Sequence, residues 1–221
     1  IWEFLMLMGI VLIAIAFRFY GPEQSLFTLH TARDMYRSLL LVRGEEIPLL
    51  GSEMQYGGRV LGPLMYFLIA PIVAFTPSPV GVFYLIAFMN TALLLILWRI
   101  VRGIFGSWVA ILSIALYAVF PLEIGQLRFN WNPCFLPFML TIALGALWRV
   151  TVFREKWPLF VCILFLVFGL QLHFSSMQAI IVSLIILIVA RVKPSANVLI
   201  ASIFAVILLF LPLVINEVTT D

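Results

Sequence analysis

Seven apolar runs separated by polar or Pro/Gly-bearing segments dominate the chain: residues 1–17, 80–98, 108–120, 134–148, 159–172, 177–190 and 198–215. Each approaches the roughly 20 residues that an α-helix needs to cross a hydrocarbon core, the shorter ones by borrowing flanking residues. The runs are continuous and lack the alternation of a barrel strand, and in lipid only helices and closed barrels satisfy their own backbone. The pattern therefore predicts helical spans. Two further stretches are helical in pattern without reading as spans. Residues 28–42 place Ala32, Met35, Leu39 and Val42 on one face and His30, Asp34 and Arg37 on the other, with Gly44 as a stop. Residues 61–75 are short and interrupted by Pro63 and Pro71, which predicts a helix at the outer interface. The expected fold is an all-α membrane protein of about seven transmembrane helices, with a long outer first loop carrying two juxtamembrane helices. Residues 1–221 read as a single polytopic membrane domain, expected to be the N-terminal part of a longer protein because the chain begins with Ile and stops soon after its last apolar run.

Composition sharpens this reading. The chain is 64% hydrophobic and 10% charged, with a mean hydropathy of +1.19, whereas a soluble domain carries about 25% charged residues. Residues 1–17 lack a basic start and a small-residue cleavage site, so they read as a retained span. The net charge of +3 is of the kind expected from Lys and Arg at cytoplasmic helix ends, and nucleic acid is not an expected partner. Three basic clusters (Arg99 with Arg102; Arg149, Arg154 and Lys156; Arg191 with Lys193) are each two spans apart, which puts them on one side. The positive-inside rule makes that side the cytoplasm, although Arg33, Arg37, Arg43 and Arg59 in the long first loop run against it. Cys134 and Cys162 sit in or beside apolar runs with no second ligand pair, as small packing or lipid-facing residues would.

Ionisable groups away from those clusters are costly in such a chain and usually face a cavity or a substrate path. In this topology they collect on the outer side: His30, Asp34, Arg37, Glu53, Tyr56, Arg59, Glu123, Arg128, His173 and Glu217. His30 and Asp34 lie four residues apart, with Arg37 at the next turn. Such a set can place a proton acceptor beside an anion-binding cation, although a solvated polar helix face accounts for the same spacing. Gly57-Gly58-Arg59 through Tyr66 combines permissive glycines with an arginine and an interfacial tyrosine, suited to a phosphate or prenyl chain or simply to a shaped loop. Asn132-Pro133 reads as an N-cap followed by Pro at the first helical turn. Arg128 can pair with a lipid phosphate or with Glu123. His173 stands at an outer corner, and two histidines cannot make a His-rich metal site.

Taken in order, five pieces of this sequence resemble one family. They are the first span; the helix through Ala32-Arg33-Asp34 to Gly44 and Pro48-Leu49-Leu50-Gly51; Gly62-Pro63-Leu64-Met65-Tyr66; Arg128-Phe129-Asn130-Trp131-Asn132-Pro133; and Gln171-Leu172-His173. The family is that of polyprenyl-phosphate-dependent sugar transferases of the dolichyl-phosphate-mannose protein mannosyltransferase type, within the glycosyltransferase C superfamily. The resemblance implies a transferase at the outer face of a bacterial inner membrane, taking a sugar from a polyprenyl-phosphate-linked donor with membrane lipid as its surroundings. It implies Asp34 or His30 as the base near the acceptor hydroxyl. The family's acid usually lies just ahead of the stretch matching Ala32-Arg33-Asp34, where this chain has His30. Substrate-binding candidates are Arg37, Tyr56, Arg59, Tyr66, Arg128, Asn130 and His173. Metal dependence stays open, a divalent cation among the possibilities. A transporter or flippase for a lipid-linked saccharide would share the bundle and its arginines but need no base, and a noncatalytic scaffold would need neither.

Overall fold

The computed structural model describes residues 1–53 and 61–220, and among them every element is helical. In chain order the helices are α1 (Trp2–Phe19), α2 (Leu29–Val42), α3 (Leu64–Phe75), α4 (Pro79–Phe105), α5 (Ser107–Ala118), α6 (Pro121–Gln126), α7 (Leu136–Val152), α8 (Pro158–Leu172), α9 (Ser176–Val189) and α10 (Ala196–Thr220). Short 3-10 turns at Pro22–Gln24, Leu127–Phe129 and Asn132–Phe135 link them.

Each of the seven predicted runs is helical, but their lengths differ. Four stretches are long and apolar enough to cross a membrane: α1, α4, residues 132–152 ending in α7, and α10. A fifth is α5 taken together with Pro121–Phe129, the two bent by 45°. The bend falls at Phe120-Pro121, where the proline supplies no N–H to continue the ladder of α5. Helices α8 and α9, of 15 and 14 residues, are apolar but shorter, because Pro158 starts one and the corner at His173 separates it from the other. The chain is thus built as an all-helical membrane protein with four or five helices of spanning length.

The stretch predicted to lie at the interface forms α3, and one of its faces is packed into the bundle. Met65, Tyr66, Ile69 and Val73 join Val82 and Ile86 of α4, Phe135, Met139 of α7 and Leu172 of α8 in one core, while Phe67 and Phe75 point outward. A second core joins Ala14 of α1 to Leu94 of α4 and to Ile111, Ile114 and Ala118 of α5. A third joins Ala143 and Leu147 of α7 to Cys162 and Leu166 of α8. Both cysteines are buried packing residues.

Polar contacts sort the bundle into two ends. At one end Glu3, at the start of α1, accepts from Arg102 at 2.6 Å and from Trp98 at 3.2 Å. At the same end Arg149 grips Glu155 through two bonds, and Arg154 donates to the carbonyl of Ala190. The three basic clusters therefore meet at one end, as their spacing predicts. The opposite end gathers the loop after α1, helix α2, the segment before α3 and the turns before α7.

Candidate functional site

Helix α2 starts on a reciprocal cap. The Thr28 hydroxyl accepts from the Thr31 amide, and the Thr31 hydroxyl accepts from the Thr28 amide. It ends at Gly44, whose φ of 69° is the left-handed geometry glycine provides. Its orientation is the main difference from the sequence pattern. The buried face is Thr31, Asp34 and Ser38, flanked by the partly buried Met35 and Leu39, while His30 and Arg37 are exposed. Asp34 therefore leaves the solvated face shared by His30 and Arg37. Three polar groups can turn inward because each finds a partner there. Thr31 reaches the Phe129 carbonyl, and the Ser38 hydroxyl lies 2.7 Å from the Asp34 carbonyl oxygen and 3.0 Å from that of Tyr66, tying α2 to α3.

Asp34 is 1% exposed, and its carboxylate is the centre of a small network. Arg33 donates from Nε to Oδ1 at 2.8 Å, and a terminal guanidinium nitrogen of the same arginine lies 2.8 Å from that oxygen. That terminal nitrogen also donates to Ser52 Oγ at 2.7 Å, and Asn132 Nδ2 reaches the same oxygen at 3.2 Å. Ser52 is set in place by two backbone bonds, Gly51 N–H to the Leu61 carbonyl and Leu61 N–H to the Ser52 carbonyl. This pairing demands glycine, because a Cβ on Gly51 would lie 2.1 Å from the Gly62 carbonyl oxygen. Asp34 Oδ2 is buried with no hydrogen-bond partner among the described residues. Burial pushes the Asp34 carboxyl up from its ordinary value, against the pull of the neighbouring Arg33 charge.

Beside this network opens a cavity of about 450 Å³, walled by Arg33, Arg37, Tyr66, Glu53 and Asn216 of α10 together with the 46–51 segment. Arg37 is paired with Glu46 on its wall. Asp34 does not line the cavity itself; it stands behind Arg33, which does.

The structure thus brings together Asp34, Arg37 and Tyr66 of the candidates read from the sequence. His30 sits one turn before Asp34 on the exposed surface. Tyr56 and Arg59 lie outside the described residues. Arg128 does not pair with Glu123. It donates to the carbonyls of Gly21 at 2.8 Å and Tyr20 at 3.2 Å, holding the loop after α1, while Glu123 accepts from Tyr117. Asn130 adopts a left-handed φ of 47° and joins Ser25 to the Pro79 carbonyl. Asn132 is not an N-cap: the helical turn does begin there with Pro133, but the amide is directed to Ser52. His173 Nδ1 accepts from the Ser175 amide, so its ring secures the α8–α9 corner. Arg33, Ser52 and Asn132 complete the network although the sequence reading passed over them as site residues. For Arg33 the available signal was its adjacency to Asp34.

Because a guanidinium forms stronger bonds to carbonyls than a neutral donor does, Arg128→Ala is expected to lower stability by about 1–3 kcal/mol. A lowered melting midpoint in detergent would show this, and an unchanged midpoint would mean that Arg128 is free for a ligand.

Among the described residues, no group of three or more His, Cys, Asp or Glu is placed to hold a metal ion. Neither a family model, nor a curated protein, nor a solved structure matches this chain.

Proposed function

We propose that this chain is the membrane portion of a glycosyltransferase that moves a sugar from a polyprenyl-phosphate carrier to an acceptor hydroxyl. The reaction takes place at the end of the bundle opposite the basic clusters, which under the positive-inside reading is the outer face of a bacterial inner membrane. The observation that carries this reading is Asp34. It is a buried carboxyl with one oxygen unpartnered among the described residues, joined through Arg33 to a cavity that also presents Arg37 and Tyr66. In an apolar bundle such a group is costly unless it serves a function. The family resemblance of the motifs supports the same assignment.

In this mechanism the donor phosphate draws Arg33 away from Asp34, since a phosphate offers the planar guanidinium two oxygens in place of one carboxylate oxygen. Arg37, which Glu46 holds on the cavity wall, supplies a second cation, and Tyr56 and Arg59 remain the further donor-binding candidates read from the sequence. The bared Asp34 takes the proton of the acceptor hydroxyl as its oxygen bonds to the anomeric carbon. The bond from that carbon to the carrier phosphate breaks, and the polyprenyl phosphate leaves with the electron pair, held by the arginines. Attack opposite the leaving group inverts the anomeric centre. His30, exposed one turn earlier, is the alternative base.

A second reading, a carrier for lipid-linked saccharides, draws on the same structure: Asp34 is paired and off the cavity wall, as in an ion pair that only shapes a path. Membranes holding the full-length parent protein, given radiolabelled lipid-linked sugar, separate the two. Transfer of label to endogenous acceptors is expected. Movement of labelled lipid across the bilayer without transfer would replace the enzyme with the carrier, and neither activity with any donor would leave a scaffold.

A further inference from the structure

At the basic end, away from Asp34, a cleft of about 870 Å³ opens between α4, α7 and α8. Its walls are apolar, built from Ile96, Ile100, Ile142 and Val161, and Arg99 and Arg149 stand on its rim. Two glycines shape it. A Cβ on Gly103 would lie 2.5 Å from the Trp148 ring, and one on Gly145 would lie 2.4 Å from Ile100. Their absence lets Trp148 lie over α4 and Ile100 press onto α7. The lip is formed by Leu95, Phe153 and Trp157, all well exposed, as groups facing lipid chains and headgroups would be.

The charges on the rim differ in one respect. The Arg149 guanidinium is taken by Glu155 through two bonds, and the neighbouring Arg102 by Glu3. Arg99 is exposed and has no carboxylate or hydrogen-bond partner among the described residues. Behind it, Arg154, Lys156, Arg191 and Lys193 surround a second, smaller cavity whose lining includes the already engaged Glu155. This end of the bundle therefore carries a surplus of positive charge facing an apolar cleft. Such a combination fits an amphiphile with an anionic head and an apolar tail, and fits neither a free anion, which gains nothing from the apolar walls, nor a zwitterionic lipid, whose head carries its own cation.

We propose that this cleft is a binding site for an anionic phospholipid of the membrane, with its phosphate against Arg99 and one acyl chain along Ile96, Ile100 and Ile142. Trp148 packs over the upper part of that chain. The site is independent of the transfer reaction, which uses the other end.

The test is tryptophan quenching of the purified full-length chain in vesicles containing phospholipid brominated on its acyl chains, as either phosphatidylglycerol or phosphatidylcholine. Brominated phosphatidylglycerol is expected to quench at several-fold lower membrane fraction than phosphatidylcholine, and replacing both cleft tryptophans, Trp148→Phe with Trp157→Phe, should remove the difference. Arg99→Gln, at an exposed position that does not threaten the fold, should reduce the preference about fivefold. Equal quenching by the two lipids overturns the proposal. So does a preference that survives Arg99→Gln but disappears in Lys193→Gln, because it then belongs to the general surface charge. Relief of the quenching by millimolar inorganic phosphate also overturns it, by making the ligand a soluble anion.

Discussion

Asp34→Asn is expected to reduce sugar transfer by about a thousandfold while leaving the lipid donor bound, since a positioned general base typically contributes 10²–10⁴ in rate. Asn keeps the shape of the side chain and still offers Arg33 an oxygen, but it cannot take a proton. Stability should change little. Burial raises the Asp34 carboxyl, so the folded chain binds its proton more tightly than the unfolded chain does. The contribution of this group to stability is therefore full below the ordinary carboxylate range and lost as pH rises through the raised value, and at neutral pH a neutral replacement gives up little. The same sign governs activity. Transfer by the parent protein should fall as pH is lowered through a value above the usual carboxylate pKa, because only the ionised form accepts a proton. Radiolabel transfer across a pH series, with donor binding measured in parallel, checks both. Retention of full transfer in Asp34→Asn moves the base to His30 or replaces the enzyme with the carrier, and His30→Ala distinguishes these.

What could be read in the sequence follows from what each residue needs. The apolar runs declare themselves because lipid tolerates nothing else, and all seven are helical. Their lengths were less legible, because Pro121 and Pro158 mark bends or starts whose consequences depend on the packing around them. The facing of α2 was legible only for Met35 and Leu39, which do pack against the core. By periodicity Ala32, Met35, Leu39 and Val42 should point inward and Asp34 outward, yet Thr31, Asp34 and Ser38 are the buried set. Thr31 and Ser38 find partners at distant positions, Phe129 and Tyr66, and the Arg33 that pairs with Asp34 is anchored by Ser52; no local pattern shows that those groups will converge. The same holds for Asn132, whose sequence context is that of a cap while its amide serves a serine 80 positions earlier. Arg128 shows the converse: the sequence suggests a pairing with the nearby Glu123, but its guanidinium goes to the Tyr20 and Gly21 carbonyls of the loop after α1.

Arg18→Met is expected to destabilise the whole bundle by about 2–4 kcal/mol, since the lost bonds are charge-assisted and their acceptors remain buried. Arg18 closes α1 and is 1% exposed. It donates to the carbonyls of Ala118 at 2.7 Å and Tyr117 at 3.0 Å, and its guanidinium lies 5.4 Å from the centre of the Tyr117 ring. These are terminal carbonyls of α5: the Tyr117 oxygen also accepts from the Phe120 N–H at 3.3 Å, while the Ala118 oxygen lies at the break before Pro121. A cation there also complements the negative end of the helix. Methionine would fill the volume but leave the Ala118 oxygen without its partner and the Tyr117 oxygen with only the Phe120 N–H at 3.3 Å. Lysine would keep the charge but cannot reach two carbonyls with a planar fork, so Arg18→Lys should fall between. The effect should extend to the site, because Arg18 fixes where α1 ends. The loop that follows is held through Gly21 and Ser25 by Arg128 and Asn130, four and two residues before the Asn132 that supports Ser52 and Arg33. Thermal unfolding in detergent should show a midpoint lowered by roughly 5–15 °C for Arg18→Met, at about 2–4 °C per kcal/mol in a chain of this size. Donor binding should weaken in parallel at temperatures where the fold survives. An unchanged midpoint would mean that water or lipid headgroups replace the arginine at the end of α5, and would separate the stability of the bundle from the geometry around Asp34.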